Sequence, residues 1–471
     1  MNMRESMKKF TATKFAYIFA IYVILQPIID VFTSLTTRAG ISVTPGVVIR
    51  TLLMIYAFFY VLFVSDFKEK KLSVIYVLCI SAYILVFLAY MYKVGGMSNF
   101  IGNLKETVKT FFFPYVAVFA FALYREYGYT ISVKALSISA FIYTGIIFIA
   151  YVTGTSFVTY HSGYGYSGWF YAANEISDII AIIAPVAIFT AVGYLHTPDE
   201  HKWKTGLAVG FVLFCCCFAA DYIGTKVVFL FVFAYCLACM VWYFVYYKKE
   251  HDKTFKKRAL FCLAATFAVI AMFSSGSLLS YLSNVFLPLQ DEQSEEALAA
   301  LNKDILAAAQ GTWLYNLIEN NHFVKTLNWL LSKRLLIIAP AAQEYTDAGF
   351  ITKLIGLGYK NTILNTRNIE RLIEMDAPAL LLRHGLAGFV LEYLPYFASI
   401  VYVIVKFCKK FRKSMASLEC CTYFYCVITG FLISTFVGHG LNAPAVSFYL
   451  VFLGFSLLDA FNKRDALPDV K

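Results

Sequence analysis

Apolar stretches of roughly 20 residues, each long enough to cross a bilayer core of about 30 Å, recur along almost the whole of this chain. That recurrence constrains the fold more than any other feature, because a segment immersed in lipid must satisfy its backbone hydrogen bonds internally. The composition agrees: 60% of residues are hydrophobic, 18% aromatic and only 15% charged, against about a quarter charged in soluble domains. A length of 471 residues would otherwise suggest two or three soluble domains, and the hydropathy overrides that expectation. The first run, 15–35, follows Arg4, Lys8, Lys9 and Lys14. It begins like a signal region, but it is too long and has no small-residue cleavage site, so a retained first helix is expected.

The expected architecture is an all-α integral membrane protein with about 12 transmembrane helices. They fall at 15–35, 46–64, 72–92, 106–124, 131–151, 171–195, 205–220, 227–247, 259–282, 386–405, 420–437 and 442–461. The fourth and seventh have the shortest apolar cores, and Pro185 midway along the sixth is expected to kink it. Basic residues test the count independently, since cytoplasmic loops carry an excess of Lys and Arg. Alternating the loops puts 25 basic residues on the side shared by both termini, and Arg38, Lys93, Lys105, Lys109 and Lys226 in the short loops opposite. The net charge of +11 therefore reads as membrane orientation, with both termini cytoplasmic, and not as a nucleic-acid surface.

Between the ninth and tenth helices lies a long segment, expected to be a large helical extracellular domain. It divides the chain into 1–278, 279–383 and 384–471. Residues 291–309 have helical propensity with acids placed early, and 313–335 is amphipathic and rich in Leu, Trp and Ile. The segment is too apolar for disorder, and part of it can lie on the membrane surface. No internal repeat is evident, which weighs against an inverted-repeat transporter. There is no Gly-rich nucleotide loop and no zinc spacing. The Cys236-x-x-Cys239 pair lies inside an apolar run and reads as packed helix residues, and none of the 11 cysteines falls in an expected external segment. No metal or cofactor is expected.

Charges at bilayer depth cost about 2.5–3.5 kcal/mol each on insertion scales and usually have a function. The candidates are Asp30, Arg50, Glu175, Asp178, Asp221, Lys226 and Glu392, and all except Glu392 sit near the outer end of an expected helix. One by one, such residues reach water from a helix end. Together, they suggest a site at the outer leaflet. Arg50 offers a planar fork and Lys226 a compact charge, both suited to phosphate. Glu175 and Asp178, three residues apart, share a helix face; pairing with these cations and holding sugar hydroxyls both remain open for them. In the long segment, Lys333-Arg334 ends an apolar stretch, Gly356-Leu357-Gly358-Tyr359 reads as a turn, and Arg367, Glu370, Arg371, Glu374 and Asp376 follow. A salt-bridge ladder accounts for part of that group. Asp376 leads into apolar residues, where burial suits a general base. Arg383 and His384 enter the bilayer next; His384, like the external His161 and His439, lacks the partners of a metal site.

Gly168-Trp169-Phe170-Tyr171-Ala172-Ala173-Asn174-Glu175 resembles the Gly-x-x-x-x-x-Asn signature of the O-antigen polymerase and O-antigen ligase superfamily of membrane glycosyltransferases. Gly224-Thr225-Lys226 is similar to the place where many members carry an arginine for the lipid diphosphate. Leu331-Ser332-Lys333-Arg334-Leu335, with Ile355-Gly356-Leu357-Gly358, resembles the family's external-loop stretch. Ile373-Glu374-Met375-Asp376, with Arg383-His384-Gly385-Leu386-Ala387-Gly388, resembles its closing loop-to-helix element. The likeness runs from the sixth helix to the start of the tenth. Two departures stand out: Asp376 or Glu374 occupies the place of a histidine usual in ligases, and lysine replaces arginine at Lys226. The acidic version looks more like polymerases of capsule, cell-wall or teichuronic-type polysaccharides in Gram-positive bacteria.

The resemblance implies transfer of a glycan at the outer face of a bacterial plasma membrane, from an undecaprenyl-diphosphate donor to a sugar hydroxyl, with inversion and without a metal. In that reading Arg50, Lys226 and Arg334 bind the diphosphate, and Asp376 or Glu374 is the base. Asn174, Glu175, Asp178 and Arg383 bind substrate. A chain-length regulator or a flippase are further implied partners. Two alternatives stay open: a ligase that attaches finished glycan to a final acceptor, and a polysaccharide or lipid transporter, which would place its charges near the bilayer midplane. A receptor or structural protein would not need cations and carboxylates on one level.

Overall fold

The computed structural model describes residues 3–41, 43–158, 165–195, 202–247, 255–264, 266, 306–331, 333–359 and 373–465. Among them every regular element is a helix, and the one β feature is a bridge between Val158 and Tyr166. The amino-terminal part contains α1 Met3–Phe10, α2 Ala16–Arg38, α3 Pro45–Phe59, α4 Lys70–Thr110 and α5 Phe112–Tyr127. It continues with α6 Val133–Val152, α7 Ala173–Tyr194, α8 Lys202–Tyr222 and α9 Lys226–Val245. The long segment supplies α10 Trp313–Asn320, α11 His322–Leu330, α12 Arg334–Asp347 and α13 Phe350–Ile355. The chain then forms α14 Asp376–Lys409, α15 Phe411–Met415, α16 Leu418–Leu432 and α17 Pro444–Asp465.

Ten stretches among the described residues are long and apolar enough to cross a membrane, so this is a multi-pass membrane protein. One of the ten, Lys70–Tyr127, runs for 58 residues and holds both helices expected at 72–92 and 106–124. The helix expected at 259–282 is helical at 255–264 and at 266, and the rest of it lies outside the described residues. The same holds for the helix expected at 291–309, apart from a helical 306–309. The amphipathic stretch expected at 313–335 is not one helix. It breaks at Asn321, whose side-chain oxygen accepts from the Phe323 and Val324 amides at 3.0 and 3.2 Å and caps α11. α14 starts at Asp376 instead of at 386, and α7 continues through Pro185.

α7 is the hub of the bundle. It is apolar on all sides between Ile179 and Phe189, and such a helix belongs in a protein interior. Accordingly, 83% of its most apolar window is buried, against 33% in α9. It packs on α6, α8, α9, α16 and α17. Helices in lipid are held by close packing more than by hydrophobic drive. Leu450 of α17 lies directly on the backbone of Gly430 in α16. Phe19 meets Phe452 with ring centroids 4.6 Å apart, and Phe448 meets Phe452 at 5.1 Å; such pairs contribute about 0.5–1.5 kcal/mol each. Cys236 and Cys239 are free thiols buried in this core.

Two helices are interrupted, and the interruptions shape the site end. α4 breaks at Gly96, with φ 70°, and α14 breaks at Gly385, with φ 63°, a backbone region that strains any side chain. Breaks inside a bilayer are tolerated only where the freed polar groups find partners. At Gly96 they come from Asn99, which donates to the Met91 carbonyl at 3.0 Å, and Asn103, which donates to the Asn99 carbonyl at 2.8 Å. At Gly385 they come from other elements: the Leu357 and Gly358 amides donate to the Leu382 and Arg383 carbonyls, each at 2.9 Å. The Tyr83 hydroxyl donates to the His384 carbonyl at 2.6 Å. Gly356 packs so closely on Arg383 and Gly385 that neither glycine has room for a Cβ. The Gly356-Leu357-Gly358 turn is thus a clasp joining the long segment to α14.

Candidate active site

The starts of α7, α9, α12 and α14 converge at one end of the bundle. α7 and α9 are stapled together there, because the Ser177 and Thr225 hydroxyls bond each other and the Val228 amide donates to the Ser177 oxygen at 3.2 Å. The staple places Lys226, exposed at the first position of α9, beside the first two turns of α7, which carry Asn174, Glu175 and Asp178. The loop leading into α7 is pinned from α2: the Arg38 guanidinium lies 3.8 Å from the Phe157 ring centre and donates to the Phe170 carbonyl at 3.5 Å.

The long segment brings Arg334. Lys333 turns the chain with φ 64°, and Arg334 opens α12. Its Nε donates to one oxygen of Glu374 at 2.8 Å, and its Nη2 lies 2.7 Å from the same oxygen. Lys226 lies within electrostatic range of Arg334. Asp178 lies within range of Arg334, Glu374, Glu175 and Asp376. The structure therefore gathers Lys226, Arg334, Glu175, Asp178, Glu374 and Asp376, with half-buried Asn174 next to Glu175. Helix starts carry partial positive charge, so four of them and two cations make an end of the bundle suited to an anion.

Within this cluster the carboxylates differ sharply. Asp376 is wholly buried, and its two oxygens accept four bonds: from the amides of His439, Gly440 and Leu441 at 3.0, 2.8 and 2.7 Å, and from Asn442 Nδ2 at 3.0 Å. A carboxylate with its lone pairs so occupied has no free oxygen for an incoming proton. Asp376 anchors the 438–442 loop on the start of α14. Gly438, with φ 105°, packs on the Glu374 carbonyl and leaves no room for a Cβ, so the same loop also positions Glu374. Glu374 is only partly buried and is tied to Arg334. Asp178 is 1% exposed, and neither of its oxygens has a hydrogen-bond partner.

Arg50 and Arg383 are engaged elsewhere. Arg50 forms a 2.5 Å ion pair with Asp30, whose other oxygen accepts from the Tyr143 hydroxyl at 2.5 Å. This charge is paired inside the bundle, apart from the cluster around Lys226 and Arg334. Arg383 lies over the Tyr359 ring, 4.8 Å from its centre. Tyr359 bonds Thr110 at 2.6 Å and His384 Nε2 at 3.0 Å, and burial pushes its hydroxyl pKa up. His384 is fully buried against Phe87 and Phe111, a packing and hydrogen-bonding residue. Glu392 is also buried with neither oxygen partnered. Arg367, Glu370, Arg371 and His161 lie outside the described residues. Among the described residues no three His, Cys, Asp or Glu side chains form a metal-binding group.

Sequence reading missed Asn442 and its loop. Asn442 Oδ1 is buried without a donor while its Nδ2 holds Asp376. The available signal was the turn chemistry of Gly438, His439, Gly440 and Asn442 between two apolar spans.

Comparison with known proteins adds what geometry alone lacks. No curated protein matches the sequence. A family model described as O-antigen ligase like membrane protein matches residues 12–464, well beyond the part that carried the resemblance. With nearly its full length matched, the chain belongs to the O-antigen ligase-like family of membrane proteins, which implies a glycosyltransferase-like enzyme acting on lipid-linked glycans.

Proposed function

We propose that this protein polymerises undecaprenyl-diphosphate-linked oligosaccharide units into a surface polysaccharide at the outer face of a bacterial plasma membrane. The observation that carries the reading is the meeting of Lys226, from a membrane-spanning helix, with Arg334, from the long segment, beside four carboxylates at one end of the bundle. A lipid-linked donor presents its diphosphate at the membrane surface, where a cation from the bundle and one from an outer segment can clamp it. Arg334 supplies a planar fork for two phosphate oxygens and Lys226 a point charge. Both stabilise the charge that develops on the diphosphate as the bond to the sugar breaks.

Glu374 keeps Arg334 oriented until the diphosphate takes its place. Asn174 and Glu175, on the first turn of α7, are placed to hold sugar hydroxyls. The reaction is a single displacement at the anomeric carbon, with inversion. The acceptor hydroxyl loses its proton to a carboxylate of the cluster, and no metal is required because the clamped diphosphate is already a good leaving group. Placing the Lys226 side outside also puts the 25 basic residues of the opposite loops in the cytoplasm. The test is reconstitution with lipid-linked repeat units and a gel readout of chain length for Arg334→Ala, Lys226→Ala and the double variant. Loss of polymer with single repeat units left behind is expected; full-length polymer from the double variant at wild-type protein level rules the reading out. Accumulated lipid-linked polymer in cells carrying these variants would instead identify a ligase.

A further inference from the structure

We propose that Asp178 is the catalytic base that takes the proton from the acceptor hydroxyl. The inference rests on the glycan-transfer reading of the site and assigns a step that this reading leaves open.

Three carboxylates other than Glu175 border the cluster, and two are already committed. Asp376 spends both oxygens on four donors from the 439–442 loop. Glu374 is held by Arg334, two of whose nitrogens lie against one of its oxygens. Asp178 is 1% exposed on the second turn of α7, and both of its oxygens lack a donor. A buried polar atom left unpaired costs about 1–3 kcal/mol, so a protein that retains two such oxygens beside a reaction centre has kept them for a ligand. Asn442 makes the same point independently. Its Nδ2 bonds Asp376 at 3.0 Å, and its Oδ1 is also buried without a donor. Unsatisfied acceptors on Asp178 and on Asn442 call for a ligand that donates hydrogen bonds, which a sugar hydroxyl does and a phosphate does not.

The step balances as follows. The acceptor oxygen forms a bond to the anomeric carbon of the donor, and the bond from that carbon to the diphosphate breaks. The electron pair leaves on the diphosphate, held by Arg334 and Lys226, and the acceptor proton passes to Asp178 and later to water. The charged and titratable groups facing Asp178 are Glu175 on its own helix, Arg334 on α12, and Glu374 and Asp376 at the start of α14.

The experiment uses the full-length protein in liposomes, with lipid-diphosphate-linked oligosaccharide as donor and acceptor. Asp178→Asn is expected to lower turnover about 10²- to 10⁴-fold, to leave donor KM within about twofold, and to abolish the acid limb of the pH–rate profile. Its melting temperature should equal or exceed that of the wild type, because the Asn adds no buried charge. Wild-type turnover by Asp178→Asn alongside an inactive Arg334→Ala overturns the base and leaves the site reading intact; activity in both variants overturns the site reading itself. If the Asn variant does not fold, Asp178→Glu decides: about a tenfold loss with the acid limb retained supports the base, and unchanged turnover refutes it.

Discussion

The Asp30–Arg50 network and the Lys226–Arg334 cluster are built from the same materials, yet one is closed and the other is open. In the first, one cation meets one carboxylate at 2.5 Å and the remaining carboxylate oxygen is taken by Tyr143. In the second, two cations face each other near four carboxylates, and Asp178 has no donor at all. In a bilayer, where each unsatisfied polar group is costly, a satisfied network fastens helices together, whereas an unsatisfied one has been kept for a partner. Charge at membrane depth marks both, and pairing tells them apart.

The contrast is open to direct attack. The largest effect is expected at the closed network. Arg50→Ala leaves Asp30 buried and unpaired, and should cost about 3–5 kcal/mol of stability, read as a lower melting temperature in detergent and less folded protein. Replacing both partners, Asp30→Asn with Arg50→Gln, should recover most of that loss. At the open cluster the effect should fall on rate: Arg334→Ala is expected to lower polymerisation about 10²- to 10³-fold with an unchanged melt. A large stability loss there would mean that the Arg334–Glu374 pair fastens the structure as Arg50–Asp30 does. Asp376→Ala tests the boundary between the two behaviours. It orphans three buried amides at about 1–3 kcal/mol for a lost partner, so both the melt and the activity should fall, the latter through a misplaced Glu374. The smallest effect is expected from Tyr359→Phe, which removes the hydroxyl joining Thr110 to His384. It should cost about 1 kcal/mol, seen as a modest downward shift in the melt with turnover preserved.

Much of the candidate site is recognisable from residue type and spacing alone. Lys226 opens a helix after a glycine, Glu175 and Asp178 share a face, and Arg334 follows an apolar amphipathic stretch; each is a local fact. The commitments of those residues are not local. The donors that occupy Asp376 come from 439–442, the partner that neutralises Arg50 is on the preceding helix, and the donors that heal the break at Gly385 come from 357–358. A lone Gly-x-Gly reads as a turn, and only its seat on Arg383 and Gly385 shows that it is a clasp.

The sequence by itself determined the class of this protein: runs of apolar residues of bilayer length must become helices, because that follows from the transfer of single segments between water and lipid. Only the tertiary structure decided which buried charges are spent and which are free. Hydrogen-bond satisfaction is a property of pairs, and the pairs here join residues far apart in the chain: Asp178 is open and Asp376 is closed because of what other helices and loops bring to each.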